Sequence, residues 1–128
     1  MRFCLAADLC LLEVEIMSRA DTLRTMKPEL IVDLWLYPVD RGGIMHPALP
    51  GWGCPCTLQT DEGDGWECFD GWPLLGGVPM AAGDRRRVGY VFMNPQFALG
   101  RLEGEPKFYL WEARIVGEAA IVETPRST

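Results

Sequence analysis

The chain has 128 residues, of which 12 are basic and 18 acidic, giving a net charge of −6 at pH 7, and 48% are hydrophobic. This length suits a single domain, and this hydrophobic fraction is too high for a disordered protein. No apolar run approaches the roughly 20 residues that a membrane-spanning helix needs. Because nucleic acids are bound mainly through their phosphates, the acidic balance favours a function other than nucleic-acid binding.

The first segment of the chain, residues 6–25, is the only one with the spacing of a helix. Apolar side chains recur on one helical face over residues 6–25, and no helix breaker occurs before Pro28. The alternative is that translation begins at Met17 or Met26, in which case the preceding residues are not part of the protein.

The five cysteines and the start of the chain indicate a cytoplasmic protein. We also predict no cofactor. Asp8, Glu13 and Glu15 interrupt the first apolar run, which a secretory signal does not tolerate. An odd number of cysteines without an export signal is typical of reduced thiols in the cytoplasm.

From residue 30 onward the pattern is typical of β-structure. We divide the chain into an N-terminal extension (1–28), a β-domain (29–124) and a tail (125–128). Strand-forming residues separated by Gly- and Pro-rich turns predict six short strands. They cover residues 30–37, 52–60, 66–69, 85–94 (ended by Pro95), 106–112 and 114–123, with a turn-rich connection at 71–77. Short strands at this spacing predict an all-β fold, a small closed antiparallel barrel without exposed edges.

Alternation along each strand predicts which side chains face the core. Those expected to face inward are Val32, Leu34, Leu36, Val88, Tyr90, Phe92, Phe108 and Leu110. Those expected to face outward are Asp33, Trp35, Tyr37, Arg85, Arg87, Val91, Tyr109 and Trp111.

Four segments at the turns and strand ends carry a resemblance to a known family. In chain order they are Gly42-Gly43-Ile44-Met45-His46-Pro47, Gly51-Trp52-Gly53-Cys54, Met80-Ala81-Ala82-Gly83-Asp84 and Phe108-Tyr109-Leu110-Trp111-Glu112-Ala113-Arg114-Ile115-Val116-Gly117. Their order and spacing resemble those of the third domain, the C-terminal β-barrel, of elongation factor Tu. The resemblance covers about residues 30–123 and implies a stand-alone six-stranded barrel.

Departures from the family pattern bear on function. The resemblance implies contact with the T stem of aminoacyl-tRNA, but Ile44 and Gly53 stand where the family has arginines. Losing two phosphate partners lowers the expected affinity for RNA. Glu112 matches a family position near RNA. No G-x-x-x-x-G-K-[ST] phosphate loop occurs, so the chain is not expected to be a GTPase.

Cys54 and Cys56 are the sharpest chemical feature. Two thiols separated by one residue could bind a soft metal or switch redox state, with His46 and Cys68 as further ligands. A closed zinc site typically uses four ligands with C-x-x-C spacing, which is absent here. The alternative is a pair of small buried side chains. The acidic turn at 61–64 lacks the pattern of a calcium loop, and we predict no catalytic residue.

The outward aromatic residues and their charged neighbours are the candidate binding surface, because such aromatics are enriched at binding hot spots. The candidates are Trp35, Tyr37, Arg85, Arg87, Tyr109, Trp111, Glu112 and Arg114, and Arg85, Arg87 and Arg114 could together bind a small anion. Alternatively, residues 1–25 cover the aromatics, or the aromatics are exposed singly.

We therefore predict a non-catalytic binding module that contacts a protein partner. An RNA- or tRNA-binding accessory protein and a cysteine-based metal or redox protein are the alternatives. The exposed aromatics leave a homodimer open.

Overall fold

The computed structural model describes residues 26–60, 63 and 65–124. The predicted helix at 6–25, most of the acidic turn and the tail at 125–128 lie outside the described residues. The strands are β1 (Leu30–Leu36), β2 (Cys54–Thr57), β3 (Cys68–Leu74), β4 (Arg85–Phe92), β5 (Lys107–Trp111) and β6 (Ile115–Glu123). A short 3-10 helix (Val39–Arg41) follows β1, and an α-helix, α1 (Pro95–Leu102), follows β4.

The six strands form a closed barrel in the order β1-β4-β3-β2-β5-β6. All neighbours are antiparallel, and β1 pairs with both β4 and β6, which closes the sheet. Closure gives every strand a partner on both sides, so no edge is left unpaired. The predicted fold, a small six-stranded antiparallel barrel, is confirmed.

The inward face of each strand fills the barrel with large apolar side chains. All eight side chains that alternation predicts to face inward are buried. Tyr90 lies at the centre, with its ring centroid 5.3 Å from that of Phe92 and 5.2 Å from that of Phe108. The contact with Phe108 is edge-to-face and that with Phe92 is tilted, and aromatic pairs of these kinds add stability beyond the burial of area.

The predicted turn-rich connection at 71–77 is wrong in its first half, because β3 continues to Leu74. Gly71 and Pro73 lie in the strand and pair with Phe92 and Tyr90 of β4. A Cβ atom on Gly71 would lie 2.8 Å from both of those aromatic rings. Gly71 is therefore a packing residue that admits the aromatic core, although in the sequence it resembles a turn residue.

A helix after β4 was not expected from the sequence, and the expectation that residues 6–25 hold the only helix is wrong. The strand ends at Phe92, and Pro95 begins α1 rather than only ending the strand. The side chain of Asn94 accepts a hydrogen bond from the backbone N–H of Phe97 at 3.4 Å. An N-cap followed by proline is a typical start of a helix. Within the described part of the chain, no helix has the length and apolar character to cross a membrane.

Val91 departs from the predicted outward exposure, since only 1% of it is exposed. It lies directly opposite Trp72 of β3. Directly opposite residues of antiparallel strands share a face, so this large indole stands beside Val91 and helps to bury it.

Candidate functional site

The barrel register aligns four outward residues in one row across four strands. Trp35 of β1 lies opposite Arg85 of β4 on one side and opposite Glu118 of β6 on the other. Glu118 in turn lies opposite Tyr109 of β5. Because opposite residues point to the same face, these side chains are neighbours on the outer surface.

Two arginines lie against the indole of Trp35. The guanidinium carbon of Arg85 is 4.1 Å from the centroid of the Trp35 ring, and that of Arg41 is 5.1 Å from it. Arg41 also lies 5.5 Å from the centroid of Tyr37, whose ring packs edge-on against Trp35 at 4.9 Å. We call these four residues (Trp35, Tyr37, Arg41 and Arg85) the Arg–Trp cluster.

The aromatic residues of the cluster are half-buried, whereas both of its arginines are exposed. Among the residues that the structure describes, neither Arg41 nor Arg85 forms an ion pair with a carboxylate. Both guanidinium groups lie instead against the electron-rich face of the indole, and Arg41 also lies over the ring of Tyr37.

The other end of the row is electrically neutral. The hydroxyl of Tyr37 donates to one carboxylate oxygen of Glu118 at 2.9 Å, and the ammonium of Lys107 donates to the other at 3.3 Å. Burial, followed by the bond to Glu118, raises the pKa of Tyr37, so the hydroxyl remains a donor. Lys107 also lies 5.4 Å from the ring centroid of Tyr109.

A tight turn fixes the position of Arg41. The backbone N–H groups of Arg41 and Gly43 donate to the carbonyl of Pro38 at 2.8 and 3.0 Å. Arg114 donates to the carbonyls of Gly42 and Gly43 at 2.9 and 3.4 Å. Arg114, which the sequence marks as a binding residue, is thus a positioning residue for the turn that carries Arg41.

Arg87 and Arg114 are engaged differently from Arg85, so the three do not form a common anion site. Arg87 makes a two-pronged ion pair with Asp33, at 2.8 and 3.1 Å. The bond from Arg87 holds the pKa of Asp33 below its usual range.

Arg86, the residue between Arg85 and Arg87, donates to the carbonyls of Val78 and Pro79, at 2.7 and 2.8 Å.

Trp111 and Glu112 make separate contacts at the turn between β5 and β6. The ring of Trp111 packs edge-on against Trp66, with 6.0 Å between centroids. Glu112 lies 3.4 Å from the Nε2 atom of His46. Both contacts involve loop residues rather than the Arg–Trp cluster.

Sequence reasoning missed Arg41, Lys107 and Glu118. Lys107 and Glu118 flank outward aromatics, but only the pairing of β5 with β6 shows that they meet. The one signal for Arg41 is its place in the turn directly after the strand that carries Trp35.

The cysteine pair lies in the barrel wall. Cys54 and Cys56 are free thiols, 7% and 0% exposed. The sulfur of Cys56 lies 3.6 Å from the hydroxyl oxygen of Tyr90. Burial raises the pKa of Cys56 to about 12 and that of Cys54 well above its usual value. A thiol must ionise to act as a nucleophile, so this pair matches the interpretation of small buried side chains.

The remaining metal and thiol predictions concern Cys68 and His46. Cys68 is disulfide-bonded, so the expectation of reduced thiols fails for this residue. His46 is exposed and bonds to Glu112 and to the carbonyl of Pro47. Among the described residues, no three His, Cys, Asp or Glu side chains are grouped to hold a metal ion.

We expect Cys54 and Cys56 to resist alkylation by iodoacetamide in the native protein, because both are buried and protonated. Labelling is followed by mass spectrometry of the peptide that contains both residues. The rate should stay far below that of the denatured protein throughout pH 7 to 9, because a thiol with a pKa of about 12 is almost entirely protonated over this range. Rapid native labelling, comparable to that in denaturant, would contradict this burial and favour a redox role.

Comparison with protein-family models and with curated proteins gave no match. The assignment of function therefore depends on the geometry of the barrel surface.

Proposed function

We propose that this chain is a non-catalytic binding module whose Arg–Trp cluster contacts a protein partner. The observation that carries the proposal is the pair of exposed arginines held against one half-buried tryptophan. Trp, Tyr and Arg are the residues most enriched at interface hot spots. The four residues of the cluster include all three of these residue types.

The cluster is also held in place before any partner binds. Trp35 and Arg85 project from paired strands of a closed barrel, and Arg41 projects from a hydrogen-bonded turn. Fewer side chains must then be ordered on binding, which reduces the entropic cost of association.

We further propose that the chain is a relative of the C-terminal barrel of elongation factor Tu, with a translation-related role. The closed six-stranded antiparallel barrel supports this relationship, as do the four segments that carry the resemblance.

RNA is the weaker candidate ligand, because few cations among the described residues are available for phosphates. Of the arginines that the structure describes, two bind backbone carbonyls, two pair with carboxylates, and two lie against Trp35. In that order they are Arg86 and Arg114, Arg87 and Arg101, and Arg41 and Arg85. RNA affinity grows with the number of phosphates neutralised, and the net charge of −6 opposes it.

The test is affinity capture from an extract of the protein's own cells with the immobilised full chain. We expect a protein partner whose recovery falls at least about tenfold with Trp35→Ala, since hot-spot truncations typically cost this much or more. Phe97→Ala is the matched control, because Phe97 is a 40% exposed aromatic on α1.

The thermal midpoint of each variant, measured by circular dichroism, shows whether it is folded. Recovery of RNA without protein, or equal recovery by wild type and folded Trp35→Ala, would contradict the proposed function.

A further inference from the structure

We infer that the Arg–Trp cluster binds two neighbouring carboxylates in an acidic segment of the protein partner. This inference rests on the proposed function and adds the chemistry that the partner must present.

The sign of the ligand charge follows from what already occupies the aromatic face. Arg41 and Arg85 both lie against the Trp35 ring, at 5.1 and 4.1 Å. Two positive groups beside one indole repel each other, and both would repel a third cation. An anion bound between or beside them removes this repulsion, so the cluster selects negatively charged groups.

Carboxylates match the donors that these arginines keep available. A guanidinium that lies over an aromatic ring retains its N–H donors, arranged in a planar fork that fits the two oxygens of a carboxylate. Arg87, two residues after Arg85 on β4, binds the carboxylate of Asp33 in this way, at 2.8 and 3.1 Å. Because the guanidinium groups of Arg41 and Arg85 both lie against Trp35, a matching ligand has two carboxylates close together.

The surroundings of the cluster favour a short acidic segment over a polyanion. Asp40 and Asp84 adjoin the two arginines in the sequence, and both are exposed. These carboxylates would repel an extended phosphate backbone, whereas a segment with only two acidic side chains can place both on the arginines.

The test uses a synthetic peptide with two adjacent glutamates flanked by glycine and serine, titrated into the full-length protein. The signal is the indole N–H resonance of Trp35 in a nitrogen–proton correlation spectrum, assigned with Trp35→Phe. We expect this resonance to shift with the Glu-Glu peptide and not with a Gln-Gln peptide. Added salt should weaken the binding because exposed charges are screened.

Variants distinguish specific binding by Arg41 and Arg85 from a general effect of positive charge. We expect Arg41→Ala and Arg85→Ala each to weaken peptide binding about tenfold. Arg85→Lys should weaken it nearly as much, because lysine keeps the charge but loses the planar fork. Arg101→Ala, which removes an exposed arginine on α1 that pairs with Glu67, should leave binding unchanged.

The inference is wrong if the Gln-Gln peptide binds equally, or if the Arg41→Ala/Arg85→Ala double variant binds like wild type. It is also wrong if a single-stranded RNA oligonucleotide displaces the peptide and itself depends on both arginines.

The capture experiment distinguishes this failure from failure of the proposed function. A partner that depends on Trp35, but is not displaced by the Glu-Glu peptide, would overturn the inference alone. Peptide binding through the cluster, with no Trp35-dependent protein in the capture, would instead overturn the proposed function.

Discussion

Gly43→Ala is expected to lower the free energy of unfolding by about 3 kcal/mol. A Cβ atom at this position would overlap the carbonyl oxygen of Tyr37 and lie 2.9 Å from that of Pro38. Both contacts are with backbone, which cannot rotate away as a side chain can. The turn would have to move, breaking the hydrogen bond from Gly43 N–H to Pro38 and shifting Arg41 from Trp35.

Urea denaturation followed by circular dichroism measures this effect, and Gly100→Ala is its control. Gly100 lies on the exposed side of α1, with no atom within 4 Å of an added Cβ. Alanine there should raise the free energy of unfolding by about 0.5–1 kcal/mol, as expected for an exposed helical position. A Gly43→Ala protein as stable as wild type would contradict the close approach of Gly43 to the Tyr37 carbonyl.

Phe108→Ala is expected to cost about 3–5 kcal/mol, the largest stability loss we predict. Phe108 is fully buried, and its ring lies 5.2 Å from that of Tyr90 and 5.9 Å from that of Phe92. Removing it leaves a cavity among rings that are held by their own strands. Most small domains are stable by only about 5–15 kcal/mol, so this variant should be close to unfolding.

The same substitution at an exposed site isolates the effect of burial. Phe97 is 40% exposed, and its ring packs edge-on against that of Phe69 with 6.4 Å between centroids. Phe97→Ala should therefore cost about 1 kcal/mol or less in the same urea titration. Equal losses for Phe97→Ala and Phe108→Ala would contradict the tight packing of Phe108 in the core.

Sequence reasoning succeeded where local pattern and structure share one cause. The alternation of Val32, Leu34 and Leu36 places them inside because successive side chains of a strand point to opposite faces. The same rule places Trp35 and Arg85 on the outer face. It failed at Gly71 and at Asn94, where one residue type serves two roles. Glycine marks turns but also admits bulky neighbours, and an Asn-Pro pair can either end a strand or begin a helix.

The candidate site shows the same division. Residue type and alternation indicated the aromatics and Arg85, but the function of Arg114 required the structure. Arg114 is 71 and 72 residues from the carbonyls that it binds. Whether an arginine binds a carbonyl, a carboxylate or an indole depends on what the fold brings to it.

By itself, the sequence determined the class of fold, the inward side chains and the aromatic character of the outer surface, because each depends on the local alternation of residue types. Only the tertiary structure decided which cations lie against Trp35. Pairing of β1 with both β4 and β6 places Arg85 and Glu118 on the two strands that flank Trp35 in the sheet. The turn after β1 brings Arg41 to the same ring. Register and turn geometry are set by closure of the whole barrel, and so no local pattern encodes them.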